Sequence, residues 1–101
     1  LNNTLKTLEL RRNDLEEAAG RGIAALLRSS SCLQKLDVSE NPRLKSKREM
    51  LEALKTNRTV THLNLSVCGL EDSDLAAAAE MLRANSTLKF LMLSEYEGQH
   101  D

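Results

Sequence analysis

The stretch LKTLELRRNDL at residues 5–15 returns as LQKLDVSENPRL at 33–44, as VTHLNLSVCGL at 60–70 and, in part, as LKFLML at 88–93. Aligned, the copies read Leu5-x-x-Leu8-x-Leu10-x-x-Asn13-x-Leu15, Leu33-x-x-Leu36-x-Val38-x-x-Asn41, Val60-x-x-Leu63-x-Leu65-x-x-Cys68-x-Leu70 and Leu88-x-x-Leu91-x-Leu93, their first residues 28, 27 and 28 positions apart. A fixed period of this length is the mark of a stacked repeat, and it governs the reading of every other residue.

Counting the first residue of each copy as position 1, positions 4 and 6 are apolar and alternate with polar neighbours, so each copy is a short strand with one face turned to a core. Residues 15–33 align without a gap on 70–88, setting Ile23 and Leu27 opposite Ala78 and Leu82, and both segments read as helices. Between Leu44 and Val60, Ser46-x-x-Glu49 resembles a capping box, and Met50, Leu51 and Leu54 keep helical spacing. This middle copy carries one extra residue after Asn41, with Pro42 inside it, and two fewer before the next strand, which predicts a locally different turn. A single strand and helix cannot bury their own apolar faces, so stability has to come from stacking. Strands about 4.8 Å apart pack more closely than helices, which bends the stack with the sheet inside.

Leucine supplies 20 of the 101 residues and the aromatic residues are Phe90 and Tyr96 alone, so the core is leucine-built. With 14 Lys+Arg against 15 Asp+Glu and a pI near 6.2, no general basic surface exists to attract nucleic acid or an anionic membrane. Neither is an expected partner. No apolar run is long enough to cross a bilayer and no leader-like segment opens the chain, so it reads as soluble, cytoplasmic and in a reducing compartment, with Cys32 and Cys68 as structural thiols. The opening at Leu1, in mid-pattern, reads as an excerpt of a longer array.

The Leu-x-x-Leu-x-Leu-x-x-Asn/Cys-x-Leu signature resembles leucine-rich repeats of the ribonuclease-inhibitor-like class over nearly the whole chain. The resemblance implies an α/β solenoid, a right-handed horseshoe with parallel strands on the concave face and helices on the convex face, divided 5–32, 33–59, 60–87 and 88–101. It also implies that Asn13, Asn41 and Cys68 bond backbone groups in the turn after each strand. The fourth copy departs by placing Tyr96 at that position. Repeats of this class serve ribonuclease inhibitors, nucleotide-sensing immune receptors, GTPase-activating proteins and actin-capping tropomodulins, so the implied mode of action is protein binding.

Catalytic chemistry finds no footing. His62 is the internal histidine; it falls on the concave side while Cys68 turns inward, so they cannot form a nucleophile and base. No zinc-ligand cluster exists, Gly20-x-Gly22 lacks the context of a phosphate loop, and no metal or cofactor is expected. Glu16, Glu17, Glu71 and Asp72 recur near helix starts, where negative charge favours the helix dipole. The sequons at Asn2, Asn57 and Asn85 each stand three residues before a copy, with Ser30 in the second, so a recurring turn explains them better than glycosylation.

What the concave face offers is read in columns. Position 3 runs Thr7, Lys35, His62, Phe90; position 5 runs Glu9, Asp37, Asn64, Met92; position 7 runs Arg11, Ser39, Ser66, Ser94. The candidate partner-binding residues are Glu9, Arg11, Lys35, Asp37, His62, Asn64, Phe90 and Met92. Charge at the first repeats gives way to an apolar patch at Phe90 and Met92, where a strand face in water ordinarily carries polar residues. The expected function is a non-catalytic protein-interaction module. The alternatives are a regulator of the GTPase-activating or tropomodulin kind, or a spacer in a larger protein. Uncapped ends also predict self-association.

Overall fold

The computed structural model describes residues 4–29, 32–45 and 47–95. Four strands, β1 (Thr7–Glu9), β2 (Lys35–Asp37), β3 (His62–Asn64) and β4 (Phe90–Met92), alternate with three helices, α1 (Glu17–Ser29), α2 (Lys47–Leu54) and α3 (Asp72–Ala84). The strands form one parallel sheet in chain order. The register sets Leu8, Leu36, Leu63 and Leu91 side by side, with Thr7, Lys35, His62 and Phe90 in one flanking column and Glu9, Asp37, Asn64 and Met92 in the other. An α/β repeat solenoid is therefore the fold, and equivalent residues stack as the period predicts. Ser46 of the expected capping box, Ser30 of the turn series, Asn2, Tyr96 and His100 lie outside the described residues.

Burial is greatest in the middle of the stack. Leu33, Leu36, Val38, Leu44, Met50, Leu51, Leu54, Val60, Leu63 and Leu65 are sealed, whereas Leu5, Leu8 and Leu10 at one end and Leu88, Leu91 and Leu93 at the other are half-buried. A residue here is covered by the repeats on both sides of it, so identical positions differ by their place in the array. Leu82 shows the effect. Although it aligns with the buried Leu27, it is 47 % exposed, because no described helix follows α3.

The turn after each strand is built on a recurring backbone conformation. Arg12, Glu40 and Val67, all at position 8, adopt left-handed φ of 56°, 59° and 55°. Two places on, Asp14 and Gly69 again reach φ of 54° and 67°. Pro42 holds that place in the middle copy; its ring fixes φ negative, so this turn takes another path and α2 is 8 residues against 13 in its neighbours. Gly69 is required for a second reason, since a Cβ there would sit 2.7 Å from the Pro42 carbonyl oxygen.

Two lines of asparagine tie the repeats along opposite rims of the sheet. Asn41, fully buried, donates through Nδ2 to the carbonyls of Leu10 (3.0 Å), Val38 (2.8 Å) and Ser39 (3.0 Å). Its Oδ1 accepts from the N–H groups of Asn13 and Leu15, both at 2.9 Å. Cys68 at the same position donates Sγ–H to the Val38 carbonyl at 3.1 Å. On the other rim Asn57 donates to the Leu27 carbonyl (2.9 Å) and Asn85 to those of Leu54 (2.7 Å) and Asn57 (3.1 Å). Each accepts two backbone N–H groups of its own turn, Thr59 and Val60 for Asn57, Thr87 and Leu88 for Asn85. The recurrence of these sequon asparagines is thus structural, and their amide nitrogens are buried in the folded chain.

Candidate protein-binding surface

Strand alternation sends Leu8, Leu36, Leu63 and Leu91 inward and leaves both flanking columns on the open side of the sheet. Seven of the eight candidate residues, Glu9, Lys35, Asp37, His62, Asn64, Phe90 and Met92, line one shallow hollow of about 180 Å³. That is smaller than the several hundred cubic ångströms typical of an enclosed small-molecule site. Arg11 stands apart, in a neighbouring depression with Ser39, Glu40, Asn64, Ser66, Met92 and Ser94.

The apolar end of this surface is well exposed. Phe90 and Met92 are 58 % and 55 % exposed, and the His62 ring stacks on Phe90 with centroids 4.3 Å apart and planes 23° from parallel. The Thr61 hydroxyl lies 2.8 Å from His62 Nδ1 and 3.3 Å from the Gln34 carbonyl oxygen, which fixes the ring's orientation. Imidazole and phenyl therefore form one continuous, pre-set platform beside the Met92 thioether.

The polar residues divide differently from the sequence expectation. Asp37 Oδ1 accepts the Ser39 N–H and Asn64 Oδ1 the Ser66 N–H, both at 2.9 Å. Each closes a local turn at the end of its strand, so these two side chains have a structural task beside any they offer a partner. Ser39 of the position-7 column is buried. Arg11 donates to Glu40 Oε2 at 3.0 and 2.6 Å while Arg12 donates to Oε1 at 2.7 Å. These bonds hold the Glu40 carboxyl below its ordinary range and raise the Arg11 guanidinium above its own. The cluster locks the first two repeats together, and Arg11 is less available than its position implies. Lys35 is exposed, with no carboxylate within ion-pair distance among the described residues.

Cys68 and His62 are kept apart as expected: the thiol is sealed beneath the sheet edge while the imidazole is on the open face. Burial pushes the Cys68 thiol up to about 11, opposed by the Asn41 backbone N–H and the Lys47 charge, so it is a poor nucleophile at neutral pH. Among the described residues no group of His, Cys, Asp or Glu could hold a metal, and no helix is long and apolar enough to cross a membrane.

Sequence reasoning missed three features. Lys47 and Asp74 are both buried and lie 3.7 Å apart across α2 and α3, with Lys47 Nζ donating to the Leu44 carbonyl at 2.6 Å and Asp74 Oδ2 accepting the Glu71 N–H at 3.0 Å. The stacking of His62 on Phe90 was not drawn, although the shared column already implied adjacency. Glu95 Oε2 accepts the Cys68 N–H at 3.4 Å, as Asn41 does for Asn13, and so fills part of the role left by the absent asparagine in the last copy.

Comparison with known proteins matches the leucine rich repeat family model to residues 1–24 and 56–77. These are the first and third copies, whose turns are regular; the second carries Pro42 and the fourth is incomplete. Neither the curated proteins nor the solved structures gave a match.

Proposed function

We propose that this leucine-rich-repeat chain is a non-catalytic, cytosolic protein-interaction module that docks its partner on the concave sheet, with Phe90, Met92 and His62 as the anchor. The observation that carries the reading is the exposure of two large apolar side chains on a polar sheet face, one of them held in a ring stack. Covering what is exposed of Phe90 and Met92 contributes on the order of 2 kcal/mol, or about thirtyfold in affinity. Lys35 and Glu9 flank the anchor and supply orientation and discrimination more than strength. Nucleic acid and membrane are not the partner, in keeping with the balanced charge. The repeats are assigned to the ribonuclease-inhibitor-like class, divided at 5–32, 33–59, 60–87 and 88–101; strand offsets of 28, 27 and 28 residues support that class.

The test is quantitative capture from a cytosolic extract on the wild-type chain, on Phe90→Ser/Met92→Ser and on the convex-face control Arg83→Ala, each checked for fold by circular dichroism. A protein enriched on wild type and control but lost from the double variant supports the anchor. Equal recovery on all three, or none, overturns it.

A further inference from the structure

The balanced net charge hides a division between the two rims of the sheet. The strands are parallel and each helix carries the chain back, so helices end and strands begin along one rim. The stretches that lead into the four strands, residues 4–8, 28–36, 55–63 and 83–93, hold seven Lys and Arg residues and no Asp or Glu. The turns that lead out of the first three strands, residues 9–17, 37–49 and 64–74, hold six Lys and Arg against ten Asp and Glu.

The cations of the first rim recur in register. Arg28, Lys55 and Arg83 each stand five residues before the next copy. Lys6 and Lys89 hold position 2 in the outer strands, in one line with Gln34 and Thr61. The N–H of Gln34 donates to the Lys6 carbonyl (2.8 Å), that of Thr61 to Gln34 (2.8 Å) and that of Lys89 to Thr61 (2.9 Å). Lys55 is held by Glu52 and Glu80 from α2 and α3, and Arg58 donates to the Lys55 and Asn57 carbonyls. Lys6, Arg28, Arg83 and Lys89 are exposed, with no carboxylate within ion-pair distance among the described residues. Across the sheet, Arg11, Arg12, Arg43 and Lys47 all have such partners.

Helix dipoles favour Arg28 and Arg83 in the last turns of α1 and α3. They do not account for Lys6 and Lys89, which open strands, nor for four unpaired cations in a chain with 15 Asp and Glu. The rim runs beside the stack, so further repeats would lengthen it without covering it.

We propose that this rim docks a short, extended acidic segment of a partner protein; the proposal rests on the reading of the chain as a protein-binding module but not on the concave anchor. Three strand spacings of about 4.8 Å separate Lys6 from Lys89, the length of about four extended residues. Arg28 and Arg83 form a second row beside them. A short acidic segment fits along this rim alone, whereas nucleic acid or an anionic membrane reaches the acidic rim and is repelled there.

Fluorescence anisotropy with a labelled peptide of alternating Glu and Gly tests this. The wild-type chain should bind the peptide, more weakly as salt rises. Lys6→Gln/Arg83→Gln/Lys89→Gln should lose affinity about tenfold. Arg21→Gln/Lys45→Gln/Arg48→Gln, which changes net charge equally, should stay within about twofold of wild type. Circular dichroism checks each fold, and Lys6→Gln/Lys89→Gln, about fivefold weaker, replaces the triple rim variant if that one unfolds. Phe90→Ser/Met92→Ser should bind the peptide as wild type does, so a failed anchor leaves this result standing. No binding by wild type overturns the proposal, as does an equal loss in the two triple variants or a loss in the anchor variant. Tighter binding of an oligothymidylate or of phosphatidylserine vesicles than of the peptide also overturns it, by assigning the rim to nucleic acid or to membrane.

Discussion

The junction between the first and second repeats and that between the second and third perform the same task with different chemistry. At the first, Asn41 satisfies five backbone groups and surface arginines from Arg11 to Arg43 grip acidic partners across the seam. At the second, Cys68 supplies one short Sγ–H bond to the preceding strand, Gly69 permits close approach to the Pro42 carbonyl, and Lys47 with Asp74 provides a buried ion pair. A repeat period constrains where a tie must be made; it leaves open how the tie is made. The first junction is specified by hydrogen-bond number, the second by fit and burial.

The largest effect should come from removing the better-bonded tie. Asn41→Ala leaves buried carbonyls and N–H groups unpaired and should lower unfolding free energy by about 4 kcal/mol, whereas Cys68→Ala should cost about 1 kcal/mol. Equal costs in urea denaturation would break the comparison. Next, Gly69→Ala forces a Cβ against a carbonyl at a positive φ and should cost about 3 kcal/mol, while Gly22→Ala, in open space on a helix, should gain about 0.7 kcal/mol. A smaller loss, about 2 kcal/mol, is expected for Lys47→Met, which strands the Asp74 carboxylate. Lys47→Met/Asp74→Asn should recover most of it, because the amide still accepts the Glu71 N–H; a double variant as weak as the single one would remove charge pairing from the account of this seam.

The smallest effect is in pH. The Cys68 thiol is raised in the folded chain from 9.0 to about 11, so the folded state holds its proton more firmly than the unfolded state does. Its contribution is complete below pH 9 and is lost as pH rises towards 11, by about 1 to 2 kcal/mol. Alkaline denaturation of wild type should therefore be steeper than that of Cys68→Ala over this window, and identical curves would show that the thiol is not sealed.

Much of this is legible in the sequence. The leucine period fixed strands, helices and register because each apolar position meets its own equivalent in the next repeat, and so the Phe90 and Met92 patch could be found by reading columns. The exposure of Leu82 is not legible in the sequence, because alignment equates positions while burial depends on having a neighbour. Asp37 and Asn64 read as free concave side chains, since a turn made by a side chain with its own backbone leaves no periodic trace beyond the residue type. Lys47 with Asp74 was invisible for the opposite reason: the pair joins different positions of two unequal repeats, the second altered by Pro42.

The asparagines of the two rims carry a further consequence. Asn41 fixes the spacing of adjacent turns at one border of the sheet, and Asn57 and Asn85 fix it at the other. These bonds hold the turns of the first three repeats at set distances on both borders, so on the proposed reading a partner docks on a sheet whose strand spacing is fixed before it arrives.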